Sequence, residues 1–307
     1  MQFPKTSHFD PALVRAKIMG PNTLKLTEEL LGIVDGVARS TSGDIAGGNS
    51  GGVTRRNACG VARSTTYDVT GSTASDAAGR NSVDTAARTA CDVTAGNADN
   101  ASAGIPSGSV VLDLGSGTGI SSAMLAREYG FVTFAADLWS DPSDNMRFFE
   151  SLGLTNRQVI PLKADATALP FASGFFDAAL SIDSYNYFGR DPDFLDTCLL
   201  PCVKPGGLLA FAIPGMRQDC HDALPACLLR SWTPELLDYM HDMRWWEAIF
   251  AKARGAELLH LGEMSCAAEA WADWLECDNP YARGDRAAIE AGGLDYLNII
   301  AVVLRKK

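Results

Sequence analysis

The sequence predicts an α/β protein with a seven-stranded, doubly wound sheet and helices on both faces. Three observations predict it. From Ser109 to Leu304, short apolar runs alternate with segments of helical period, the pattern of strand–helix units that feed a mostly parallel sheet. The stretch VVLDLGSGTGISSAMLAREYG, Val110 to Gly130, reads as strand, glycine turn and helix. The apolar run YLNIIAVVL, Tyr296 to Leu304, supplies a last strand.

The rest of the chain is organised around the Val110–Gly130 stretch. An apolar run (Val110, Val111, Leu112) ends in Asp113, and Gly115, Gly117 and Gly119 follow. Glycines allow backbone torsions that other residues resist and let the main chain approach a ligand closely. The helix that starts at Ile120 points free N–H groups and a positive dipole end over the turn, which suits a carboxylate or a phosphate. The next strand, Phe131 to Ala136, ends in Asp137. An acid roughly twenty residues beyond such glycines can take two ribose hydroxyls.

In chain order, residues 1–35 read as two short helical pieces. The first is at Pro11 to Met19; after the turn Met19-Gly20-Pro21-Asn22, a second is capped by Asn22 or Thr23, with Leu24, Leu26, Leu30 and Leu31 at near-helical spacing. They are expected to pack on the sheet, to act as a lid over the site, or both. Residues 36–106 contain no Leu, Phe, Trp, Met or Lys, and they repeat loosely: GVARST begins at Gly36 and Gly60, DVT at Asp68 and Asp92. Such a composition cannot bury enough apolar surface to offset its ordering entropy. A disordered insertion without a catalytic role is expected there, and residues 107–307 form the main domain.

Within that domain the first helix spans Ile120 to Tyr129, and a second runs from Asp141 to Phe149. Strand three is Val159 to Leu162, followed by ADATALPF, Ala164 to Phe171. Strand four is Phe176 to Ile182 and leads into Asp183-Ser184-Tyr185-Asn186-Tyr187-Phe188. Ligands bind beyond the carboxyl ends of strands in a doubly wound sheet, which directs attention to this stretch. A helix with Phe194, Leu195, Leu199 and Leu200 precedes the turn Lys204-Pro205-Gly206-Gly207 and strand five, Leu208 to Ile213. Thr233-Pro234 has the form of a helix start, with helical spacing through Phe250. Strand six is Glu257 to Gly262. About thirty residues separate it from the last strand, and they carry Trp271 and Trp274 on one helical face.

The glycine turn with Asp113 before it, Asp137, and the ADA-x-x-LPF stretch followed by FFD together resemble the class I S-adenosylmethionine-dependent methyltransferases. The resemblance covers about Ser109 to Leu304, and its lineage looks like the bacterial small-molecule group of methyltransferase type 11. It implies a Rossmann-like sheet, with an antiparallel hairpin of the last two strands at the edge, and S-adenosyl-L-methionine as cofactor. Gly115, Ser116, Gly117 and Gly119 would hold the methionyl end. Asp113 would orient the loop or meet the ammonium group, Asp137 would take the ribose hydroxyls and Asp165 the adenine, with Leu138, Ala166 and Ile182 among the cofactor-binding residues. Asp183, Tyr185 and Tyr187 would face the transferred methyl group, Asp183 as base or orienting group and the tyrosines as pocket walls that hold an acceptor oxygen; the alternative is that Asp183 caps the next helix and the tyrosines pack in the core.

Composition narrows the field further. A formal charge of −11 repels phosphate backbones, so a small-molecule acceptor is expected and nucleic acid is not. The eight cysteines form no C-x-x-C pair, and no metal site is expected. No apolar run is long enough to span a membrane and no signal pattern opens the chain, so a cytoplasmic monomer or homodimer is expected. Two alternatives remain: a non-catalytic module that binds the same cofactor, and a nucleotide-dependent oxidoreductase. The second would require G-x-G-x-x-G, but Ile120 occupies the position of the third glycine.

Overall fold

The computed structural model describes residues 2–46 and 104–307, with side chains described to residue 40 in the first of these stretches. The disordered insertion expected from 36 to 106 lies for the most part outside the described residues. At its near end, helix α2 continues past residue 36 to Ala46, so the expected boundary falls inside a helix.

The chain order is α1 (Pro11–Lys17), α2 (Thr23–Ala46), β1 (Val110–Leu114), α3 (Ile120–Tyr129), β2 (Val132–Asp137), α4 (Pro142–Ser151), β3 (Val159–Lys163), β4 (Phe176–Ile182) and α5 (Tyr185–Phe188). Then come β5 (Val203–Met216), α6 (Pro234–Leu237), α7 (Met243–Phe250), β6 (Ala256–Glu263), α8 (Ala267–Leu275), α9 (Pro280–Glu290) and β7 (Leu297–Lys306). One seven-stranded sheet results, in the order β3-β2-β1-β4-β5-β7-β6. Strands β1 to β5 pair in parallel, and β7 lies antiparallel between β5 and β6.

Strand alternation divides the apolar residues between the two faces, because successive side chains point to opposite sides of a strand. In β7, Ile299, Ala301 and Val303 pack with α2, α3 and α8. Their neighbours Ile300, Val302 and Leu304 pack on the other face with Trp246 and Phe250 of α7. Trp271 and Trp274 are buried in the first layer, as their shared helical face predicts. Two side chains fix helix starts as expected: Asn22 Oδ1 accepts from Leu24 N–H at 3.0 Å and Asp141 Oδ1 from Ser143 N–H at 2.7 Å.

Three segments differ from the sequence reading. Strand five begins at Val203, because Lys204 to Gly207 is an irregularity in the β4–β5 ladder; Val203 pairs with Phe176 and Leu208 with Ala178. Lys204 Nζ donates to Asp177 Oδ1 at 2.6 Å across it. The helix expected from Thr233 to Phe250 is two pieces, α6 and α7. Thr233 makes no side-chain cap; instead Asp242 restarts the helix by accepting from Trp245 N–H at 2.9 Å. The segment around Leu195–Leu199 is a π-helical turn that tightens into a 3₁₀ turn at Leu200–Cys202.

The N-terminal lid is fastened at several points. Glu29 accepts from Ser265 N–H, Ser265 Oγ and Cys266 N–H at 2.7–2.8 Å. Asn22 N–H donates to Ala270 O at 3.0 Å, and its side chain donates to Asp273 Oδ2 at 2.7 Å. Thr118, in the glycine turn, donates its hydroxyl to Lys17 O. These bonds hold residues 17–23 across the carboxyl ends of β1 and β4.

Candidate active site

A cavity of about 520 Å³ opens at the carboxyl ends of β1, β2 and β4, where a doubly wound sheet places its ligands. Its size is within the range of small-molecule sites. The glycine turn forms one wall. Gly115 takes φ +76°, and a side chain there would overlap Ser184, whose Oγ donates to Leu114 O at 3.0 Å. The turn therefore depends on glycine for both its torsion and its close approach to the start of α5. Asn145 of α4 steadies the turn from the other side by donating to Gly117 O at 2.9 Å.

Gly115, Ser116, Gly117, Asp137, Leu138, Asp165, Ala166, Ile182, Asp183 and Tyr187 line this cavity, so the structure brings together most of the residues that the sequence singled out. Asp137 sits at the end of β2. Its Oδ2 accepts from Gly117 N–H at 2.9 Å, and its Oδ1 accepts from Trp139 and Ser140 N–H at 2.8 and 2.7 Å. It ties the glycine turn to the segment after β2 and lines the cavity. Asp165 Oδ1 accepts from Thr167 N–H and Oγ1 at 2.8 and 2.7 Å, and these bonds lower the carboxyl pKa. Its second oxygen remains available at the cavity wall.

Asp113, Gly119 and Tyr185 lie outside the cavity lining. Asp113 is fully buried beneath the turn, where its Oδ2 accepts from Ser121 and Ser122 hydroxyls at 2.7 and 2.5 Å. Burial pushes its carboxyl up to about 6, against the pull of those two bonds. Of the two roles implied for it, the geometry fits orienting the loop. Gly119 takes φ +84° where the turn enters α3, and Phe149 packs against it. Tyr185, expected at the transferred methyl group, points the other way. It is fully buried in the second apolar layer and stacked on Phe211 at 4.0 Å between centroids, with its hydroxyl unpartnered among the described residues. The cause is the α5 helix: residues 185 and 187 fall on opposite sides of one turn, and the apolar side takes Tyr185.

Asp183 has positive φ, +58°, which no other described non-glycine residue has. Aspartate tolerates this region better than most residues, and such strain collects at functional positions. Its backbone N–H is held by Ala212 O at 2.9 Å. The side chain turns into the cavity against Gly20. Burial pushes its carboxyl up to about 8, and the charge of Asp285 adds to the effect. Tyr187, raised to about 12 by burial and by the neighbouring Asp183 and Asp285 charges, stands at the mouth with its ring 6.1 Å from that of Trp139.

The sequence reading missed several residues at this site. Met19 and Thr23 reach the cavity, and Gly20 reaches Asp183, only because the lid folds back over the sheet, a contact far apart in sequence. Asn145 had a local signal, as a polar residue among Phe148 and Phe149 on the buried face of α4. Asp285 had none: its position beside Asp183 depends on the packing of α8 and α9.

Comparisons with known proteins agree with this geometry. Residues 112–211 match the family model described as a methyltransferase domain. Over 173 residues the chain is 33% identical to 2-methyl-6-phytyl-1,4-hydroquinone methyltransferase of Synechocystis sp., covering 55% of this chain and 51% of that protein. Over 162 residues it is 30% identical to methyltransferase GfsG of Streptomyces halstedii, covering 52% of this chain and 57% of that protein. The chain thus spans about half the length of the curated relatives it matches. Among solved structures, geranyl diphosphate C-methyltransferase from Streptomyces coelicolor A3(2) superimposes with a TM-score of 0.53 at 16% identity, over 66% of this chain and 74% of that one. That structure holds Mg²⁺, geranyl diphosphate and S-adenosyl-L-homocysteine; the likeness carries the fold. Residues 112–211 thus resemble a methyltransferase domain, and the sheet has the Rossmann-like fold of the solved structure on which it superimposes.

Proposed function

We propose that the protein transfers a methyl group from S-adenosyl-L-methionine to a small-molecule acceptor. One observation carries the reading. A single cavity joins a glycine turn at the end of β1, a carboxylate at the end of β2, another after β3 and a third after β4. These are the chemistries needed for the methionyl, ribose, adenine and reacting ends of that cofactor. The donor set fits the group: Asp137 keeps acceptor capacity toward the ribose hydroxyls, and Asp165 keeps an oxygen for the adenine amino group. The Gly115–Gly117 backbone and the start of α3 face the methionyl carboxylate.

When bound, the cofactor supplies a methyl carbon already activated by its sulfonium sulfur. The protein's own residues then have to position an acceptor and exclude water. The lid residues Lys17 to Met19 and Thr23 close one side of the cavity, and Leu138, Trp139 and Tyr187 close the mouth. Asp183, at the far end from Asp165, holds or accepts the acceptor's proton. Among the described residues no helix is long and apolar enough to cross a membrane; we propose a cytoplasmic enzyme, monomeric or dimeric, that works on a diffusible acceptor rather than on nucleic acid.

Thermal shift tests the cofactor side. S-adenosylmethionine and S-adenosylhomocysteine are expected to raise the melting temperature of the full chain, whereas NAD and NADP leave it unchanged. Stabilisation by NAD or NADP alone would overturn the reading. Turnover is read as S-adenosylhomocysteine released when acceptor pools are added; its absence with every pool, despite tight cofactor binding, would favour a non-catalytic binding module.

A further inference from the structure

The end of the cavity farthest from Asp165 holds polar groups without partners. Asp183 lines it, and its carboxylate accepts no hydrogen bond from the described residues. Thr23 Oγ1, on the lid side of the same cavity, is buried and also unpartnered. The buried Thr23 hydroxyl is costly unless a ligand completes it, and the Asp183 carboxyl group, partly exposed at the cavity wall, is free to take the same ligand.

The surroundings indicate the sign of that ligand's charge. A second carboxylate, Asp285, acts on Asp183 from outside the cavity wall. It is held rigidly there: Trp232 Nε1 donates to its Oδ1 at 2.9 Å and Trp274 Nε1 to its Oδ2 at 2.8 Å. Two rings stand at the mouth, Tyr187 6.1 Å from Trp139, and a third, Tyr239, lies 5.4 Å behind Tyr187. A cation already uses this run: the Arg190 guanidinium lies 4.1 Å above the Tyr239 ring and pairs with Asp238. Among the described residues, the only basic side chain lining the cavity is Lys17, whose ammonium lies over Phe148 of α4. Arg190 and Lys17 are each engaged with another ring, so the Asp183 and Asp285 carboxyl groups and the Tyr187 ring are left to attract an ammonium group. They also disfavour the anion that a hydroxyl acceptor would have to become.

We propose that the acceptor is an amine, bound as its ammonium ion between Asp183, Thr23 and the Tyr187 ring, with Asp183 as the base that frees it for methylation. The proposal rests on the methyl-transfer reading. Asp183, which holds its proton in the free protein, releases it to solvent as the ammonium ion binds beside it; the ammonium R–NH₃⁺ then gives one proton to the Asp183 carboxylate. The freed nitrogen lone pair forms the new N–C bond as the C–S bond breaks, and the C–S electron pair remains on sulfur. The products are R–NH₂⁺–CH₃, a neutral thioether and a protonated Asp183, so one positive charge is conserved. Asp285 acts through Asp183 and Tyr187 as a positioning residue.

Calorimetry on the full chain saturated with S-adenosylhomocysteine tests this with two probes of one shape, 2-phenylethylamine and 2-phenylethanol. The amine is expected to bind at least tenfold more tightly than the alcohol. Asp285→Asn should weaken the amine severalfold while affinity for S-adenosylhomocysteine and for the alcohol stays unchanged, a pattern that a merely loosened fold would not give. If Asp285→Asn does not fold, Asp183→Asn, nearly isosteric and at ease at positive φ, carries the same amine-to-alcohol comparison. Equal or tighter binding of the alcohol would overturn the amine assignment and leave methyl transfer standing. Failure of the folded protein to bind S-adenosylhomocysteine would overturn both.

Discussion

The carboxylate of Asp183 lies directly against the α-carbon of Gly20, so that a methyl group at residue 20 would overlap Asp183 Oδ2. The lid turn and the end of β4 thus share one close contact between residues 163 positions apart. Gly20→Ala is expected to push the lid away from the sheet and cost about 1–3 kcal/mol of stability, as overpacking does. Methyl transfer should fall by more than cofactor affinity does, because the acceptor end is what moves. Gly20→Ala combined with Asp183→Gly, which removes the obstructing side chain and suits φ +58°, should recover most of the stability. Chemical denaturation of the four proteins checks this; additive losses would show that the two residues are not coupled.

Asp183 also carries a pH signature. Its carboxyl is raised to about 8 in the fold, against about 3.9 in an unfolded chain. The folded state therefore binds more protons than the unfolded state between these values, and stability falls as pH rises through that window. Asp183→Asn is neutral throughout and tolerates positive φ. Its advantage over the wild type should be near zero at pH 4, grow to the order of a few kcal/mol by pH 8 and level off above. Asp113, raised to about 6 by burial, tilts both proteins alike and cancels in the difference. A gap independent of pH, measured by denaturation from pH 4 to 9, would contradict the buried-acid account.

Tyr185→Phe tests the inward placement of that tyrosine. The hydroxyl is buried without a partner among the described residues and the ring stacks on Phe211. Removing an unsatisfied polar atom while keeping the ring should leave stability unchanged or raise it by up to about 1–2 kcal/mol, with methyl transfer retained. A large loss of activity without unfolding would return Tyr185 to the site.

The contrast between Tyr185 and Tyr187 shows how far the residue pattern reaches. Strands β1 and β4 and helix α3 start and stop where apolar period and glycine say they should, because these signals are local. Gly115, Asp137 and Asp165 were legible as cavity residues for the same reason: each lies at a strand end or within two residues of one. The acceptor end is assembled from residues distant in sequence. Thr23 comes from the lid, Asp183 from just beyond β4 and Asp285 from α9, and no periodicity links them. Which tyrosine faces in was decided by packing on Phe211 and Trp246, a tertiary fact. Strand β5 was read short because Lys204 to Gly207 has turn chemistry, yet the ladder resumes across it.

The central claim is that this cavity binds S-adenosylmethionine with Asp137 at its ribose. The most direct test is calorimetric titration of S-adenosylhomocysteine into the wild type and Asp137→Ala. Asp137 holds three backbone N–H groups and faces the cavity, so its loss removes a ribose acceptor and loosens the glycine turn together. Micromolar binding by the wild type, weakened at least tenfold (about 1.4 kcal/mol) in a folded Asp137→Ala, is the predicted result. No binding by the folded wild type, or equal binding by the two proteins, would contradict it.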